Sequence, residues 1–194
     1  MACKVNISLD ERSYPIWVGA GVLGRLPAAL SGLRGLVVTD AHVDAFHGAK
    51  VMDMLGQGWA KIILPPGESS KSASRWANLL EQIAAAKLDR HGVLVALGGG
   101  VVGDLTGFAA ATYMRGIRFV QIPTSLLAMV DSSVGGKTGI NLAAGKNLVG
   151  AFHQPIGVFA DTDVLATLPP REFAAGMAEV VKYGVALDAE FFGW

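Results

Sequence analysis

The stretch from Leu97 to Gly107 combines closely spaced glycines in a way that suits the binding of an anion. Gly98, Gly100 and Gly103 form a G-x-G-x-x-G pattern that follows an apolar run and opens a predicted helix. Glycines let backbone N–H groups approach a ligand, and the first turn of a helix carries unpaired N–H groups and the positive end of the helix dipole. The stretch therefore predicts a phosphate or pyrophosphate site, with a tight turn that binds no ligand as the alternative.

Two lysines and an amide lie on a later glycine-rich segment. Lys137 follows a Gly-Gly pair, Lys146 and Asn147 come nine and ten residues later, and Asp131 lies upstream. The triplet from Gly136 to Thr138 matches the end of a phosphate-binding P-loop, but aspartate occupies the position of the first glycine, which excludes that motif. Two ammonium groups and an amide can hold a phosphate or a carboxylate through charge-assisted hydrogen bonds. A solvated basic loop is the alternative.

Glu179 and Lys182 lie three residues apart on a predicted helix and therefore share one face of it. They predict an ion pair of small energetic value. Because Glu179 stands in the otherwise apolar Gly-Met-Ala-Glu-Val-Val, a buried metal ligand or a catalytic carboxylate is the other interpretation. No metal-type spacing is found among the four histidines, which are His42, His47, His91 and His153.

Alternating strands and helices must position these residues. Two β-prone runs between residues 4 and 18 predict an N-terminal β-hairpin, and the alternation from 35 to 122 predicts right-handed βαβ units. We expect an α/β fold with a Rossmann-like, doubly wound, mostly parallel sheet, because its strands read as continuous apolar runs. The segment 123–155 predicts a long loop with short helical pieces, and loops of that length in a compact domain are more often functional than slack.

The residues at the ends of the predicted strands indicate where a nucleotide could bind. The standard dinucleotide-binding fold places an Asp or Glu about 20 residues after the glycines, but the next strand here runs from Arg118 to Ile122. Asp40, at the end of an earlier strand, can bind a ribose hydroxyl instead.

Five helices are predicted from the spacing of apolar residues and from helix start and stop signals. They are 21–30, 43–55, 72–88, 104–114 and 171–185.

Composition limits the classes of partner. The chain of 194 residues is 52% hydrophobic, and 16 Lys and Arg residues balance 16 Asp and Glu residues. Without net charge there is no overall field that attracts nucleic acid or an anionic membrane, so neither partner is expected. The sequence shows no signal peptide and no run of 18 apolar residues, and Cys3 is its single cysteine. We expect a soluble cytoplasmic protein.

With these residues in view, the sequence resembles the NAD-dependent sugar-phosphate cyclase family, and within it the 3-dehydroquinate synthases. The similarity covers essentially the whole chain, and the block from Asp131 to Asn141 is its most specific part. Six segments carry it: Leu97–Phe108, Tyr113–Gly116, Ile122–Leu127, Val130–Asn141, Gly145–Asn147 and Ala178–Gly184.

The resemblance implies a role for each matching residue. The NAD pyrophosphate lies over the glycine turn, formed by Gly99, Gly100, Val101 and Asp104. The adenosine side is approached by Asp40, Glu68 and Lys71, and the cofactor pocket is completed by Thr124, Ser125, Leu165 and Thr167. The nicotinamide end and the anionic groups of the substrate are held by Asp131, Lys137, Lys146, Asn147 and Lys182. A phosphate is reached across a dimer interface by Arg115, and one metal ligand is Glu179.

The implied reaction converts 3-deoxy-arabino-heptulosonate 7-phosphate to 3-dehydroquinate and phosphate. It proceeds by transient oxidation with NAD, phosphate elimination, re-reduction and aldol cyclisation, so NAD is regenerated in each turnover. A Zn²⁺ or Co²⁺ ion acts on the hydroxyl that is oxidised. The implied partners are a small sugar-phosphate substrate and a second copy of the chain in a homodimer.

The resemblance also sets a limit. The family takes two further metal ligands, both histidines, from a later helical domain, and none of the four histidines matches them. We expect an NAD-binding α/β domain at 1–162, followed at 163–194 by the first helices of a truncated helical domain, against which Phe191, Phe192 and Trp194 would pack. We therefore expect the chain alone to bind NAD without turning over substrate. The alternatives are a valiolone or deoxy-inosose synthase type of cyclase, and a non-catalytic NAD-binding module.

Overall fold

The computed structural model describes residues 2–193, so the prediction for Trp194 lies outside the described residues. The described strands are β1 (Cys3–Ile7), β2 (Tyr14–Gly19), β3 (Gly35–Asp40), β4 (Trp59–Leu64), β5 (Val93–Gly98), β6 (Arg118–Pro123), β7 (Lys137–Leu142), β8 (Gly145–Phe152) and β9 (Val158–Asp161). The described α-helices are α1 (Leu26–Ala29), α2 (Ala41–Val43), α3 (Ala49–Leu55), α4 (Ala73–Ala85), α5 (Gly100–Thr112), α6 (Pro170–Leu187) and α7 (Ala189–Gly193). Among these helices, none is long and apolar enough to cross a membrane.

Seven of the strands form one sheet in the order β1-β2-β9-β6-β5-β3-β4. β1 and β2 pair antiparallel as the predicted hairpin, and the other pairings are parallel. Along the central strands, Leu36, Val38 and Leu94 face the layer that contains α4 and α5, whereas Val37 and Val95 face the layer that contains α1 and α3. Because both faces are covered, the strands are apolar throughout, and the predicted doubly wound α/β fold is confirmed.

The parallel strands end at one edge of the sheet. From β3 the chain crosses to β4 on one side and then returns to β5 on the other side of β3. Such a reversal opens a crevice outside the carboxyl ends of the two strands. Asp40 ends β3 and Gly98 ends β5, so both residues flank this crevice.

The prediction of a long loop at 123–155 is wrong where β7 and β8 form an antiparallel hairpin. A Cβ on Gly150 would lie 2.0 Å from the carbonyl oxygen of Thr138, and a Cβ on Gly139 would lie 2.6 Å from that of Val149. The glycines that favoured a loop in the sequence therefore allow the two strands to approach each other closely.

The helix predicted at 43–55 is interrupted by a π-helical turn at Asp44–Gly48. Within this turn the missing side chain of Gly48 leaves room for the Asp44 carboxylate, since a Cβ on Gly48 would lie 1.8 Å from Asp44 Oδ1. That oxygen accepts a hydrogen bond from Lys61 Nζ at 2.5 Å. The other predicted helices also differ in their bounds: α5 begins at Gly100 instead of 104, α4 ends at Ala85 instead of 88, and α6 spans Pro170–Leu187 instead of 171–185. The segment 21–30 is a 3₁₀ turn at Val22–Arg25 followed by α1.

Candidate functional site

The glycine turn between β5 and α5 brings three segments together. Gly99 occupies the N-cap position of α5 and supplies no side-chain cap. A Cβ on Gly99 would lie 3.4 Å from Ser125 Oγ, and a Cβ on Gly100 would lie 3.0 Å from Ser132 Oγ. The first turn of α5 thus lies beside the loop after β6 and a π-helical turn at Ala128–Ser132, with N–H groups that no side chain caps.

A cavity of about 430 Å³ adjoins the first turns of α5. Four residues singled out in the sequence line it, coming from α5, the π-helical turn and both strands of the hairpin: Asp104, Asp131, Lys137 and Asn147. The other lining residues are Ser132, Thr138, Gly139, Gly150, Ala151 and Phe152. Two carboxylates, an ammonium and an amide in one cavity can bind an anionic, hydroxylated ligand and exchange protons with it.

Lys71 supports the cavity wall from inside the protein, with only 5% of its surface exposed. Its Nζ donates hydrogen bonds to Asp104 Oδ2 and Asn147 Oδ1. Burial raises the pKa of Asp104, and the hydrogen bond and charge of Lys71 oppose that rise. Lys71 therefore fixes a positive charge directly behind two residues of the cavity.

Glu68 and Lys146 extend this network to the surface. Glu68 Oε1 accepts a hydrogen bond from Asn141 Nδ2 at 2.8 Å and lies 3.9 Å from Lys146 Nζ. Asn141 Oδ1 in turn accepts from the Asn147 N–H at 2.9 Å. The Lys146 side chain is 74% exposed and lies outside the cavity wall. Glu68 and Lys71, predicted to lie on the adenosine side of a cofactor, are thus bound to the hairpin that carries Asn147.

Asp40 has a structural role at the end of β3. Its Oδ1 accepts hydrogen bonds from the N–H of His42 at 2.9 Å and the N–H of Val43 at 3.1 Å, so it is the N-cap of α2. The predicted contact with a ribose must coexist with this cap.

We expect Asp40→Ala to lower the free energy of unfolding by about 1 kcal/mol, because the cap of α2 is lost. Asp40→Asn keeps an oxygen that caps helices equally well, and this variant should be nearly as stable as the wild type. Urea unfolding followed by circular dichroism measures both variants. Equal losses in the two variants would assign the stabilisation to the charge of the carboxylate rather than to capping.

Thr124 and Ser125 lie in the loop after β6. The Thr124 N–H donates to the Gly98 carbonyl oxygen at 3.0 Å, which ties this loop to the glycine turn. Ser125 Oγ accepts from the Ala128 N–H at 3.2 Å and so caps the turn that follows. Both predicted cofactor residues therefore border the first turn of α5.

Leu165 and Thr167 lie on a 3₁₀ turn, Thr162–Thr167, that follows β9. Thr167 Oγ1 donates to the Val164 carbonyl oxygen at 2.9 Å and lies 2.8 Å from His47 Nε2. Burial lowers the pKa of His47, which keeps its ring neutral over more of the pH range. The hydrogen bond joins the turn to the segment that follows β3.

Glu179 and Lys182 form the predicted ion pair on α6, and the Glu179 side chain is 16% exposed. The hydrogen bond to Glu179 raises the pKa of Lys182, and the charge of Asp131 acts in the same direction. α6 packs close to the chain just before the π-helical turn because Gly176 has no side chain: a Cβ there would lie 2.6 Å from Leu126 Cβ and 2.7 Å from the Leu127 N–H nitrogen. Within residues 2–193, no group of three or more His, Cys, Asp or Glu side chains is arranged to hold a metal ion.

Arg115 lies on an exposed turn outside the cavity wall. Met114 and Arg115 both have left-handed φ angles, 49° and 68°, and Gly116 follows with φ 123°. Successive non-glycine residues in this region are uncommon and form a sharp turn after α5. Three predicted catalytic residues therefore lie outside the cavity lining: Arg115, Lys146 and Lys182.

The hairpin also holds residues that sequence reasoning missed. Thr138, Gly139 and Gly150 line the cavity, and Asn141 links β7 to Glu68. Two strand-compatible runs separated by two residues, at 143 and 144, are the pattern that indicates a hairpin. The segment was predicted to be a loop instead, because it is rich in glycine.

Known proteins match the chain over the elements that build this site. The family model described as 3-dehydroquinate synthase N-terminal matches residues 61–175. The 3-dehydroquinate synthase of Rhodospirillum rubrum is 56% identical over 197 residues, covering 98% of this chain and 51% of that protein. The chain thus spans about half the length of the curated relatives it matches.

Two solved structures share the fold. The 2-epi-5-epi-valiolone synthase from Streptomyces hygroscopicus, with NAD+ and Zn²⁺ bound, has a TM-score of 0.86 at 33% identity and covers 95% of this chain and 52% of that one. A 2-deoxy-scyllo-inosose synthase complexed with carbaglucose-6-phosphate, NAD+ and Co²⁺ has a TM-score of 0.84 at 33% identity, covering 93% of this chain and 50% of that one. Since the family match runs through β5, α5 and the hairpin that enclose the cavity, the chain belongs to the 3-dehydroquinate synthase family.

Proposed function

We propose that the chain is the NAD-binding part of a 3-dehydroquinate synthase, a lyase of aromatic amino-acid biosynthesis. The whole protein then converts 3-deoxy-arabino-heptulosonate 7-phosphate to 3-dehydroquinate and phosphate. The observation that carries this proposal is the cavity in which Asp104, Asp131, Lys137 and Asn147 adjoin the uncapped first turn of α5. Relatives between 50% and 56% identical bear the name 3-dehydroquinate synthase, which favours this substrate over those of other cyclases.

The glycine turn fits NAD. Gly99 and Gly100 leave a space that a Cβ would narrow, and the N–H groups at the start of α5 suit a pyrophosphate. Asp40 and the turn containing Thr167 lie at the ends of β3 and β9, where an adenosine can extend along the edge of the sheet. When bound, NAD supplies a reversible hydride acceptor. Two solved cyclases hold NAD+, which supports this assignment.

The fit to a divalent metal is partial. Glu179 offers a carboxylate of the kind that Zn²⁺ or Co²⁺ binds, and catalytic zinc sites take three protein ligands. Within the described residues, Glu179 belongs to no group of three or more His, Cys, Asp or Glu side chains, so we infer that further ligands come from another part of the whole protein.

The residues of this chain bind and orient the substrate in the proposal. Lys137 and Asn147 face the cavity and can hold a phosphate or carboxylate, while Lys146 contributes positive charge from the surface nearby. Asp131 is a carboxylate that lines the same cavity from the π-helical turn, and a carboxylate there can accept a proton from a hydroxyl bound in the cavity. Lys71 holds the other carboxylate of the cavity through its hydrogen bond.

A cyclase for another sugar phosphate is the second candidate, because valiolone and deoxy-inosose synthases share the fold at TM-scores of 0.86 and 0.84. Phosphate release by the whole protein separates the two. Release from 3-deoxy-arabino-heptulosonate 7-phosphate and none from other sugar phosphates, glucose 6-phosphate among them, supports the first proposal, and release only from another sugar phosphate overturns it.

We also propose a homodimer and a cytoplasmic location. The exposed turn that carries Arg115 suits a residue that reaches a phosphate in a neighbouring subunit, and Cys3 is a free thiol, as expected in a reducing compartment. That the 194-residue chain binds NAD without turnover stays a prediction, which a phosphate-release assay with Zn²⁺ and NAD tests.

We expect Gly99→Ala to weaken NAD binding by about tenfold or more, because the methyl group occupies the space reserved for the pyrophosphate. The variant should fold normally, since the new Cβ meets only the Ser125 side chain, with Oγ at 3.4 Å and Cβ at 4.0 Å, and φ at Gly99 is −74°. Titration calorimetry measures the affinity. Gly24→Ala is the matched control, because no atom lies within 4 Å of its Cβ position. Unchanged NAD affinity in Gly99→Ala would show that the pyrophosphate does not bind at this turn.

A further inference from the structure

Asn141 lies at an irregular point of β7. The register between β7 and β8 shifts between Ile140 and Leu142, so Asn141 leaves the ladder of the hairpin. Its N–H donates instead to the Lys71 carbonyl oxygen at 2.8 Å, and Asn141 pairs with Ser72 in an isolated parallel bridge. Such irregularities re-aim side chains beside functional sites. Asn141 is thereby directed at the segment that supports the cavity wall.

The side-chain amide of Asn141 is held on both sides. Its Nδ2 donates to Glu68 Oε1 at 2.8 Å, and its Oδ1 accepts from the Asn147 N–H at 2.9 Å. A carboxylate oxygen accepts and a backbone N–H donates, so these partners fix the orientation of the amide. No other neutral side chain of this size offers one donor and one acceptor on the same planar group.

Asn147 adopts a backbone conformation that needs support. Its φ is 56°, in the left-handed region that non-glycine residues enter uncommonly. In this conformation its Oδ1 accepts a hydrogen bond from Lys71 Nζ, which also binds Asp104. Three hydrogen bonds therefore close a ring through Lys71, Asn141 and Asn147.

We propose that Asn141 is a positioning residue that holds Asn147 in its left-handed conformation and so fixes Lys71 and Asp104 in the wall of the NAD site. Without the Asn141 amide, the Asn147 N–H loses its hydrogen-bond acceptor. The side chain of Asn147 is then no longer held against Lys71. The identification of the ligand as NAD rests on the proposed function, whereas the hydrogen-bonded ring involves only residues of this chain.

Asn141→Ala tests the ring directly. We expect hydrogen exchange of the Asn147 amide, measured by NMR in the 194-residue chain, to become about tenfold faster, since one hydrogen bond is lost. Asn78→Ala is the matched control: Asn78 accepts from Gln82 Nε2 at 2.7 Å on the exposed face of α4, and neither of these residues belongs to the ring. Unchanged exchange at Asn147 in Asn141→Ala overturns the proposal.

Asn141→Asp distinguishes the role of the amide oxygen from that of the amide nitrogen. The new carboxylate still accepts from the Asn147 N–H, so exchange should stay slow, but it faces the Glu68 carboxylate without a donor. Lys146 and Lys71 are the positive groups nearby, and Asp104 is the other carboxylate of the network. Lowering the pH lets the facing carboxyl groups share a proton, which restores the missing hydrogen bond. In the wild type, Asn141 Nδ2 already donates to Glu68 Oε1, so this hydrogen bond needs no added proton.

NAD affinity, measured by calorimetry on the same samples, gives the functional readout. We expect Asn141→Ala to bind NAD about tenfold more weakly, and Asn141→Asp to regain affinity as the pH falls from 7 to 5. Faster exchange with unchanged NAD affinity overturns the positioning role. If the wild type itself binds no NAD, the proposed function fails, and the exchange rates still decide whether Asn141 holds Asn147.

Discussion

Replacing Lys71 with methionine (Lys71→Met) is expected to lower the free energy of unfolding by about 3 kcal/mol, because it leaves the Asp104 carboxylate buried without its counter-charge. Lys71 is 5% exposed and the Asp104 side chain is 20% exposed, so water can replace little of the lost interaction. Methionine has a similar length and no charge, so the change in packing is small. Urea unfolding at pH 7, followed by circular dichroism, measures the loss.

The same variant should show a characteristic pH dependence. Burial already raises the pKa of Asp104 above its ordinary value of 3.8, and the opposing effects of Lys71 disappear in the variant. A carboxyl group whose pKa is raised on folding gives its stability below the unfolded pKa and loses it as the pH rises through the folded pKa. The deficit of Lys71→Met relative to the wild type should therefore grow as the pH rises from about 4 towards neutrality.

Lys146→Met is the matched control, since Lys146 belongs to the same network but is 74% exposed and lies 3.9 Å from Glu68 Oε1. It should change the free energy of unfolding by less than about 0.5 kcal/mol. The double variant Lys71→Met with Asp104→Leu should recover stability relative to Lys71→Met alone, because no buried charge remains. If the two lysine variants are equally stable, the buried ion pair contributes nothing beyond surface charge.

The sheet was predictable because each strand and helix can be recognised from a short stretch of sequence. Continuous apolar runs such as Val93 to Leu97, separated by amphipathic helices, admit few arrangements other than a doubly wound parallel sheet. The glycine turn is equally local, since the strand before it and the helix after it can be read from the same stretch of sequence. Residues that end parallel strands meet at one edge, which is why Asp40 and Gly98 were expected together.

The buried lysine could not be predicted in this way, because its burial depends on contacts between distant residues. The hairpin was missed for a different reason: its two runs are rich in glycine and read as a loop. A Cβ on Gly139 would collide with the Val149 carbonyl oxygen of the facing strand, whereas a glycine within one segment reads as a loop. Lys71 follows a turn rich in proline and glycine and would ordinarily be exposed. Its burial follows from partners 33 and 76 positions away, Asp104 and Asn147.

Gly107→Ala is expected to lower the free energy of unfolding by about 2 kcal/mol, because the overpacking of a filled core outweighs the roughly 1 kcal/mol by which alanine favours a helix. The new Cβ would lie 2.4 Å from Thr138 Cγ2 and 3.2 Å from Phe119 Cε2. Phe119 is buried in the sheet, so the strain must be relieved by moving the hairpin away from α5. Urea unfolding measures the change in stability.

A compensating substitution identifies the colliding atom. Thr138→Ser removes Cγ2 but keeps the hydroxyl that donates to the Ala151 carbonyl oxygen at 2.8 Å, so the double variant should regain most of the stability lost in Gly107→Ala. Gly24→Ala, with no atom within 4 Å of its Cβ position, should be at least as stable as the wild type. A double variant no more stable than Gly107→Ala would place the strain elsewhere.

The same contact sets the width of the cavity, because α5 carries Asp104 and β7 carries Lys137. If the hairpin moves outward in Gly107→Ala, the two walls separate and NAD affinity should fall together with stability. The double variant with Thr138→Ser should then recover both quantities in parallel. Recovery of stability without recovery of NAD affinity would show that the binding site depends on the Thr138 methyl group itself and not on the distance between α5 and the hairpin.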